Sequence, residues 1–231
     1  YAISKVFGAA FYKKRQFQPV AKHGSQTTRK QNERSEGRKN KLTQVIMKFQ
    51  KIETPIEGLI VVEPTVFGDA RGFFMESYAK RDFDELLGEE VAFVQDNHSK
   101  SRRGVLRGLH FQRQHTQGKL IRVVAGGVYD VAVDLRPESP TYGKWYGVEL
   151  TAENKRQFYV PPRFAHGFLT LADDTEFLYK CTDYYHPEFD GGVRWDDPQI
   201  GVDWRLAHYG LRPEELLLSD KDRVQPLLAE L

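Results

Sequence analysis

The chain has 231 residues, of which 40% are hydrophobic, 13% aromatic and 29% charged, a composition typical of folded globular proteins rather than disordered ones. The sequence contains no run of about 18 apolar residues and no signal-peptide core, so we expect no membrane partner. The single cysteine, Cys181, can form neither an internal disulfide nor a four-cysteine zinc site, and we therefore expect a reducing, cytoplasmic location.

The formal net charge of +2 conceals an uneven distribution of charge along the chain. Residues 1–46 carry eleven Lys and Arg but only two Glu, which leaves 23 of the 34 basic and 30 of the 32 acidic residues for the rest. We interpret residues 1–46 as a basic leader or as read-through sequence, and residues 47–231 as the domain proper. A nucleic-acid-binding arm and a transit peptide are the alternatives. The segment has no sustained apolar face, so we expect it to be disordered. We also expect no nucleic-acid partner.

From residue 48 onward, short apolar or alternating segments are separated by turns rich in Gly, Pro and Asp. In chain order, the pattern predicts a strand at 59–63, a short helix at 82–87, and strands at 91–97, 104–112, 119–125, 128–135, 145–151, 156–160, 167–172 and 175–183. Residues 186–213 are predicted to form a long ordered loop packed over the barrel, and the end of the chain to be helical. Many short strands at regular spacing predict an all-β fold, an antiparallel sandwich or jelly-roll barrel with a few short helices.

Two neighbouring strands carry the most explicit turn signal. The dipeptide Gly126-Gly127 lies between the strands predicted at 119–125 and 128–135, and two glycines in this position are typical of a tight β-hairpin. We therefore expect these two strands to pair. Within the second strand, strict alternation places its odd-numbered residues on one face and its even-numbered residues on the other.

His110 is the first candidate for chemistry. Alternation would place His110 and Gln112 on one face of a strand and Arg107 on the other, although Gly108 predicts a bulge that redirects its neighbours. A satisfied core histidine is the alternative interpretation. Two cations close in sequence, Arg107 and Lys119, suit an anion-binding site better than a core.

The second histidine, His166, raises the question of a metal site. Jelly-roll metalloproteins of the cupin type use a His-x-His pair, a nearby Glu and a later His as ligands. In this sequence, Gln112 occupies the position of the second histidine after His110, and His115 is misplaced for that pair. No Glu occurs between residues 112 and 127. We therefore expect no functional metal.

Other candidates are ambiguous by themselves. Tyr179 would share a strand face with Phe177 and Cys181, which is equally typical of core packing. Asp220 and Asp222 have the pattern of residues that cap a terminal helix. The sequence has no Gly-rich phosphate loop, no G-x-S-x-G elbow and no dinucleotide fingerprint, which argues against serine-nucleophile chemistry and a bound nicotinamide.

Nine sequence blocks carry a resemblance that covers residues 48–225. The most specific is V-L-R-G-L-H-F-Q at 105–112. The blocks are 69–76, 95–99, 104–112, 117–120, 128–136, 165–168, 179–185, 195–198 and 218–222. In content and order they resemble the dTDP-4-dehydrorhamnose 3,5-epimerase family.

The resemblance implies a cofactor-free homodimeric isomerase on a cupin-like jelly-roll barrel. Its substrate would be dTDP-4-dehydro-6-deoxy-D-glucose, inverted at C3 and C5 to the precursor of L-rhamnose. By position, His110 would be the base, Asp222 its dyad carboxylate and Tyr179 the acid, and Lys119 would balance charge on the enolate. The positions that match substrate contacts are Arg71, Glu76, Gln95, Asn97, Arg107, Lys119, His166, Asp190 and Lys221. The family often has Glu at the position of Asp190, which leaves that contact in question.

Elementary chemistry fits these implied roles. A C–H next to a ketone is a weak acid, so its removal needs a base with a pKa near the working pH and stabilisation of the enolate. A neutral imidazole with a carboxylate on its other nitrogen meets the first need. A single-centre epimerase or ketoisomerase for a modified deoxysugar is the alternative of the same class. A non-catalytic or metal-dependent cupin is the alternative of a different class.

Overall fold

Short strands joined by tight turns make up most of residues 48–231, the part of the chain described by the structure, which is a computed structural model. These residues all fall in one compact unit. The prediction of a disordered leader at residues 1–46 lies outside the described residues. The strands are β1 Phe49–Glu53, β2 Ile60–Pro64, β3 Phe67–Asp69, β4 Gly72–Phe74, β5 Gln95–Ser101, β6 Leu106–Gln112, β7 Lys119–Ala125, β8 Gly127–Asp134, β9 Trp145–Thr151, β10 Gln157–Val160, β11 Phe164–Thr170, β12 Thr175–Cys181 and β13 Asp190–Gly192.

Helices are few and short. The first, α1, spans Lys80–Leu87 and ends at Gly88, which adopts the left-handed conformation common at helix C-termini. The second, α2, spans only Asp220–Arg223, and single 3₁₀ turns occur at Pro187–Phe189, Pro213–Glu215 and Leu228–Glu230. Within residues 48–231, no helix has the length and apolar character needed to cross a membrane.

The strands form two large antiparallel sheets and one separate hairpin. The six-stranded sheet has the order β1-β2-β10-β7-β12-β5, and the five-stranded sheet has the order β13-β6-β11-β8-β9. Strands β3 and β4 pair only with each other. The prediction of an all-β, cupin-like jelly roll with a few short helices is confirmed. Strand β5 begins four residues later than predicted, and β13 was missed inside the predicted loop.

The predicted hairpin between β7 and β8 is wrong. The two strands are consecutive, but β7 pairs with β10 and β12 in one sheet, whereas β8 pairs with β9 and β11 in the other. Gly126 carries the chain between the sheets with φ of +67°, and a Cβ at this residue would lie 2.2 Å from Thr175 Oγ1. The two glycines therefore form the connection between the two sheets rather than a hairpin turn within one sheet. The alternation of residues along a single strand cannot distinguish a hairpin from a connection between sheets, because the distinction depends on which other strands each strand pairs with.

Three apolar layers hold the sheets in place. Between the sheets, the even face of β8 packs against side chains of the opposite sheet such as Phe158 and Phe177. The odd face of β8 packs outward against the 186–213 segment, in which Trp204 is buried. Helix α1 covers the outer face of the six-stranded sheet with Phe83. The predicted alternation in β8 and the packing of the 186–213 segment are thus both found.

A bulge between β6 and β11 interrupts the regular pairing. His166 lies opposite His110, but two residues further along β11, Phe168 lies opposite Arg107, three residues away in β6. The extra residue lies where Gly108 predicted it. Simple alternation, which would place Arg107 and His110 on opposite faces, is therefore wrong here, because the bulge brings both side chains into one cavity.

The two strands also approach each other very closely at this bulge. A Cβ on Gly108 would lie 2.5 Å from Gly167 Cα, and a Cβ on Gly167 would lie 2.7 Å from Arg107 O. Both obstacles are backbone atoms, which cannot rotate away as a flexible side chain can. The local geometry of β6 and β11 therefore requires glycine at both positions.

Replacing Gly167 with alanine tests this close approach. We expect Gly167→Ala to lower the free energy of unfolding by about 1–3 kcal/mol, because the new methyl group must displace backbone. Gly68→Ala is the matched control, since its Cβ would come no closer than 3.7 Å to another atom, and its effect should stay within about 0.5 kcal/mol. Urea denaturation measures both values. Equal stability of the two variants would show that the strands separate at little cost.

Candidate active site

A cavity of about 280 Å³ is lined by residues from both large sheets. Strands β6 and β11 supply one side and β5, β7 and β12 the other, while the β13 region and α2 complete the lining. The polar and aromatic lining residues are His98, Ser99, Arg107, His110, Phe111, Gln112, Gln117, Lys119, His166, Phe168, Phe177, Tyr179, Tyr185, Asp190 and Lys221. Seven of the predicted site residues thus line one cavity: Arg107, His110, Lys119, His166, Tyr179, Asp190 and Lys221.

His110 forms a dyad with Asp222. The distance between His110 Nε2 and Asp222 Oδ1 is 2.5 Å, and the carboxylate is almost fully buried. Burial opposes ionisation of Asp222, but hydrogen bonds from His110 and Ser219 outweigh it, so the pKa of this carboxyl is lowered. An ionised Asp222 holds the imidazole proton on Nε2, which leaves Nδ1 of His110 free to accept a proton.

A second histidine–carboxylate pair lies beside the first. His166 Nε2 is 2.8 Å from Asp130 Oδ1, and both side chains are buried. The other carboxylate oxygen of Asp130 has no hydrogen-bond partner among the described residues, and burial raises the pKa of this acid. Sequence reasoning missed the role of Asp130. The available signal was its position on the inward, even face of β8, where a carboxylate has no reason to lie unless it is paired.

The opposite sheet contributes a cation and a phenol. Lys119 is partly buried in the cavity lining, and desolvation lowers the pKa of its ammonium group. No described residue pairs with it through a hydrogen bond or an ion pair. The pKa of Tyr179 is raised, mainly by burial, with Arg107 opposing the shift. The phenol therefore keeps its proton at neutral pH.

An ion pair lies at one end of the cavity. Lys221 Nζ contacts Asp190 Oδ2, and the Tyr185 hydroxyl donates a hydrogen bond of 3.2 Å to the same carboxylate oxygen. The aspartate that replaces the family's frequent glutamate is therefore already engaged by two partners. Tyr185, Gln117, His98 and Ser99 were not predicted, although all four lie inside the matched blocks at 95–99, 117–120 and 179–185.

Four predicted contact residues do not line this cavity. Arg71 is 90% exposed at the tip of the β3–β4 hairpin, where it pairs with Asp69. Glu76 pairs with Lys48 near the start of β1. The other two lie on β5, where Gln95 Nε2 donates to Asn97 Oδ1 at 3.1 Å.

Cys181 lies beside this β5 pair. Its thiol is free and buried, and it accepts a hydrogen bond of 3.6 Å from Asn97 Nδ2. Burial, as the largest effect, raises the pKa of this thiol. The cytoplasmic location expected from this single cysteine stays a prediction.

Gln112 occupies the position where cupin metal sites have a histidine, and its side chain is already engaged. Its amide donates to the carbonyl oxygens of His115 at 2.6 Å and Tyr184 at 3.2 Å, and its oxygen accepts from the His186 N–H at 2.6 Å. A ligand role would break all three hydrogen bonds. His110 and His166 each already direct Nε2 at a carboxylate. The cavity residues therefore do not fit a cupin-type metal centre.

Comparison with known proteins identifies close similarity over most of the chain. The family model described as dTDP-4-dehydrorhamnose 3,5-epimerase matches residues 53–230. The dTDP-4-dehydrorhamnose 3,5-epimerase of Salmonella typhimurium is 56% identical over 178 residues, which are 77% of this chain and 94% of the relative. The crystal structure of a 3,5-epimerase from Legionella pneumophila in complex with dTDP-4-keto-L-rhamnose is 52% identical, with a TM-score of 0.74, over 78% of this chain and 93% of that one.

A more distant solved structure acts at a single centre. ChmJ of Streptomyces bikiniensis, a 3′-monoepimerase in complex with dTDP-quinovose, is 34% identical to this chain. Its TM-score is 0.68, and the match covers 76% of this chain and 86% of ChmJ. Both outcomes of epimerisation thus occur among proteins that share this fold.

Ser219 offers a test of how the His110–Asp222 dyad is held. Its hydroxyl donates to Asp222 Oδ2 at 2.7 Å and caps α2 by accepting from the Asp222 N–H. We expect Ser219→Ala to lower the free energy of unfolding by about 1 kcal/mol through loss of the cap. It should also raise the pKa of Asp222, because a hydrogen bond that favours the carboxylate is lost.

The readout is the dependence of kcat/KM on pH. We expect the dyad to require an ionised Asp222, so the acid limb of the profile should move to higher pH in Ser219→Ala. Ser219→Thr, which keeps the hydroxyl, should restore the wild-type profile. A variant that loses stability while its pH profile stays in place would limit Ser219 to a capping role.

Proposed function

The chain belongs to the dTDP-4-dehydrorhamnose 3,5-epimerase family, and we propose that its cavity inverts C3 and C5 of dTDP-4-dehydro-6-deoxy-D-glucose by moving protons between His110, Tyr179 and the sugar. The product is dTDP-4-dehydro-L-rhamnose, the precursor of L-rhamnose. The observation that carries the proposal is the placement of a dyad-held imidazole and a protonated phenol on opposite sheets, lining one cavity.

His110 is proposed to act as the base. The C–H groups at C3 and C5 both flank the C4 ketone, so each is acidified by the same carbonyl. Nδ1 of His110 takes the proton, and the imidazolium that forms is stabilised by Asp222 on the other ring nitrogen. Because the carboxylate is already ionised and in place, no reorganisation is needed at the moment of proton transfer.

Lys119 is proposed to stabilise the negative charge that develops on the C4 oxygen. A partly buried ammonium that has no hydrogen-bond or ion-pair partner among the described residues is unfavourable, as the lowered pKa of Lys119 indicates. An enolate oxygen in the cavity supplies the missing counter-charge, so the interaction is stronger in the transition state than with the neutral ketone. His166, which is held by Asp130, lines the same cavity.

Tyr179 is proposed to return a proton to the opposite face of the sugar. It lies on β12 of the six-stranded sheet, whereas His110 lies on β6 of the five-stranded sheet. A planar enolate between the sheets therefore meets the base on one face and the phenol on the other. Burial keeps the phenol protonated, as a general acid must be.

The cations of the cavity fit an anionic nucleotide sugar. Arg107 provides a planar fork that matches a diphosphate, and Lys221 lies at the end of the cavity beside Asp190. Among residues 48–231, the Arg107 guanidinium has one hydrogen-bond partner, Ser101 Oγ, which lies 3.2 Å from Nη2. Arg107 thus remains available to a substrate phosphate, whereas Lys221 must exchange its contact with Asp190 for one with the phosphate.

Deuterium incorporation tests the assignment of the base. In deuterated water, the wild-type protein should introduce label at both C3 and C5 of dTDP-4-dehydro-6-deoxyglucose, as followed by NMR. His110→Asn keeps a polar side chain but removes the base, so exchange at both carbons should fall by a factor of about 10²–10⁴. Exchange that persists in His110→Asn would identify another base. Label at one carbon only in the wild type would indicate a single-centre epimerase.

Tyr179→Phe should fail in a different way from His110→Asn. The ring stays, so its packing against Phe177 and the stability of the fold should survive. His110 can still form the enolate and return a solvent deuteron to the face from which the proton left. The ratio of exchange to inversion at C5 should therefore rise above the wild-type ratio. If exchange and inversion fall by the same factor, Tyr179 is not the opposite-face acid.

We further propose that the protein acts as a homodimer, with the β3–β4 hairpin as part of the interface. This hairpin exposes Phe67, Phe73 and Phe74, which are 50%, 61% and 63% exposed. Clustered large aromatic groups of this kind are typical of protein interfaces. The same hairpin carries Arg71, which does not line the cavity of its own chain. In the proposed dimer, Arg71 acts at the cavity of the other subunit.

Subunit mixing tests the dimer and the destination of Arg71 together. Arg71→Ala and His110→Asn are each expected to be nearly inactive alone. If Arg71 acts on the partner's cavity, a mixed dimer contains one intact site, and equal mixing after subunit exchange should restore about a quarter of wild-type turnover. If Arg71 acts in its own chain, every site in the mixture stays damaged and turnover does not recover. Sedimentation of the wild type as a monomer would contradict the dimer itself.

A further inference from the structure

Two loops meet beside the cavity and bring together three potential metal ligands. His115 lies on the loop after β6, and Asp183 and His186 lie on the loop after β12. One donor atom from each side chain lies within 4.8 Å of the other two. We propose that His115, Asp183 and His186 form a site for a divalent transition-metal ion such as Zn²⁺. The site is separate from the catalytic groups, none of which is among its ligands.

The donor types and spacing match this class of ion. Two imidazoles and one carboxylate suit Zn²⁺, Ni²⁺ or Cu²⁺ rather than Mg²⁺ or Ca²⁺, which prefer oxygen ligands. His115 Nδ1 is 3.4 Å from Asp183 Oδ2, close to the separation of about 3.3 Å between neighbouring ligands of tetrahedral Zn²⁺. The imidazoles of His115 and His186 stack with centroids 4.2 Å apart, which places both rings within reach of one ion once they rotate out of the stack to direct a nitrogen of each towards it.

The backbone of each ligand residue is fixed by a glutamine side chain. Gln112, which is buried, accepts from the His186 N–H and donates to the His115 carbonyl oxygen, both at 2.6 Å. Gln117 Nε2 donates to the Asp183 carbonyl oxygen at 2.8 Å. The three ligands are thus held together before any ion arrives, which reduces the ordering that binding requires.

The backbone of His115 adopts a conformation that is uncommon for residues other than glycine. Its φ of +51° lies in the left-handed region, which residues other than glycine seldom adopt unless the surroundings hold them there. The hydrogen bond from Gln112 helps to hold it. This conformation turns the His115 ring towards the other loop, where it stacks on His186.

The site is accessible to an ion from solvent. The side chains of His115 and Asp183 are 47% and 36% exposed. Glu188 Oε1 lies 3.5 Å from His186 Nδ1 and offers a second carboxylate nearby, so the site carries the negative charge that a divalent cation needs. An aromatic stack of the two imidazoles with Phe189 is the alternative explanation, but it gives no role to the carboxylates.

Metal titration of the full-length, untagged protein tests the proposal after any bound metal is removed with a chelator. The wild type should bind one Zn²⁺ per chain by calorimetry at this site. Co²⁺ in its place should give the intense visible absorption of a tetrahedral or five-coordinate centre. Zn²⁺ should also raise the melting temperature, because binding to the folded state links two loops.

The variants are chosen to leave both loops in place. His115→Asn is used because asparagine tolerates the left-handed conformation, and His186→Gln and Asp183→Asn keep the backbone groups that Gln112 and Gln117 bind. Each should weaken Zn²⁺ binding at least about tenfold, since even loss of an indirect partner of a metal ligand costs 10–100-fold. His208→Ala, which removes an exposed histidine outside the cluster, is the matched control and should bind Zn²⁺ as the wild type does.

Two results would overturn the metal site. One is the absence of stoichiometric Zn²⁺ binding by the wild type. The other is binding by the His115→Asn and His186→Gln variants that equals binding by His208→Ala. Urea denaturation without metal shows whether each variant is folded, so a loss of binding is attributed to the ligand only where the stability of the variant matches that of the control.

Discussion

The close approach of β6 and β11 at Gly108 and Gly167 is the constraint on which the site depends. The backbones of the two strands are in close contact at these glycines, and the β-bulge shifts the pairing register of β6 and β11 by one residue. Without it, Arg107 and His110 would face opposite sides of the sheet. With it, His110 lies directly opposite His166, and each ring has a buried carboxylate behind it. The glycines at 108 and 167 therefore determine the directions of the His110 and Arg107 side chains.

The second determinant is the separation of functional groups between two facing sheets. Removal and return of a proton on opposite faces of a planar enolate require two groups that approach from opposite directions. In the proposed mechanism, strand β6 supplies the imidazole and β12 the phenol, so the two facing sheets account for the geometry that inversion requires. Lys119 lines the same cavity, where desolvation lowers the pKa of its ammonium group, and we propose that this group stabilises the anionic intermediate.

Buried side-chain amides connect the cavity to its surroundings. Gln112 lines the cavity and at the same time fixes the loops that carry His115 and His186. Its side chain therefore has an architectural role at the very position where related barrels use a metal ligand. This arrangement separates two kinds of chemistry in one small region: proton transfer inside the cavity, and the proposed ion between the loops outside it.

The sequence by itself determined the all-β class, most strand positions, the bulge at Gly108 and, through its motifs, the residues His110, Tyr179, Lys119 and Asp222. Such features are local, because alternation, turn residues and motif blocks lie within short stretches of chain. Tertiary structure alone decided that β7 and β8 belong to different sheets, that Asp130 pairs with His166, and that Arg71 lies away from its own cavity. These features depend on strand partners and on contacts between residues far apart in the sequence, such as Asp130 and His166, which are 36 positions apart. The free energy of a buried charge or of a strand edge is determined by the groups that lie opposite it, and no local sequence pattern identifies those groups.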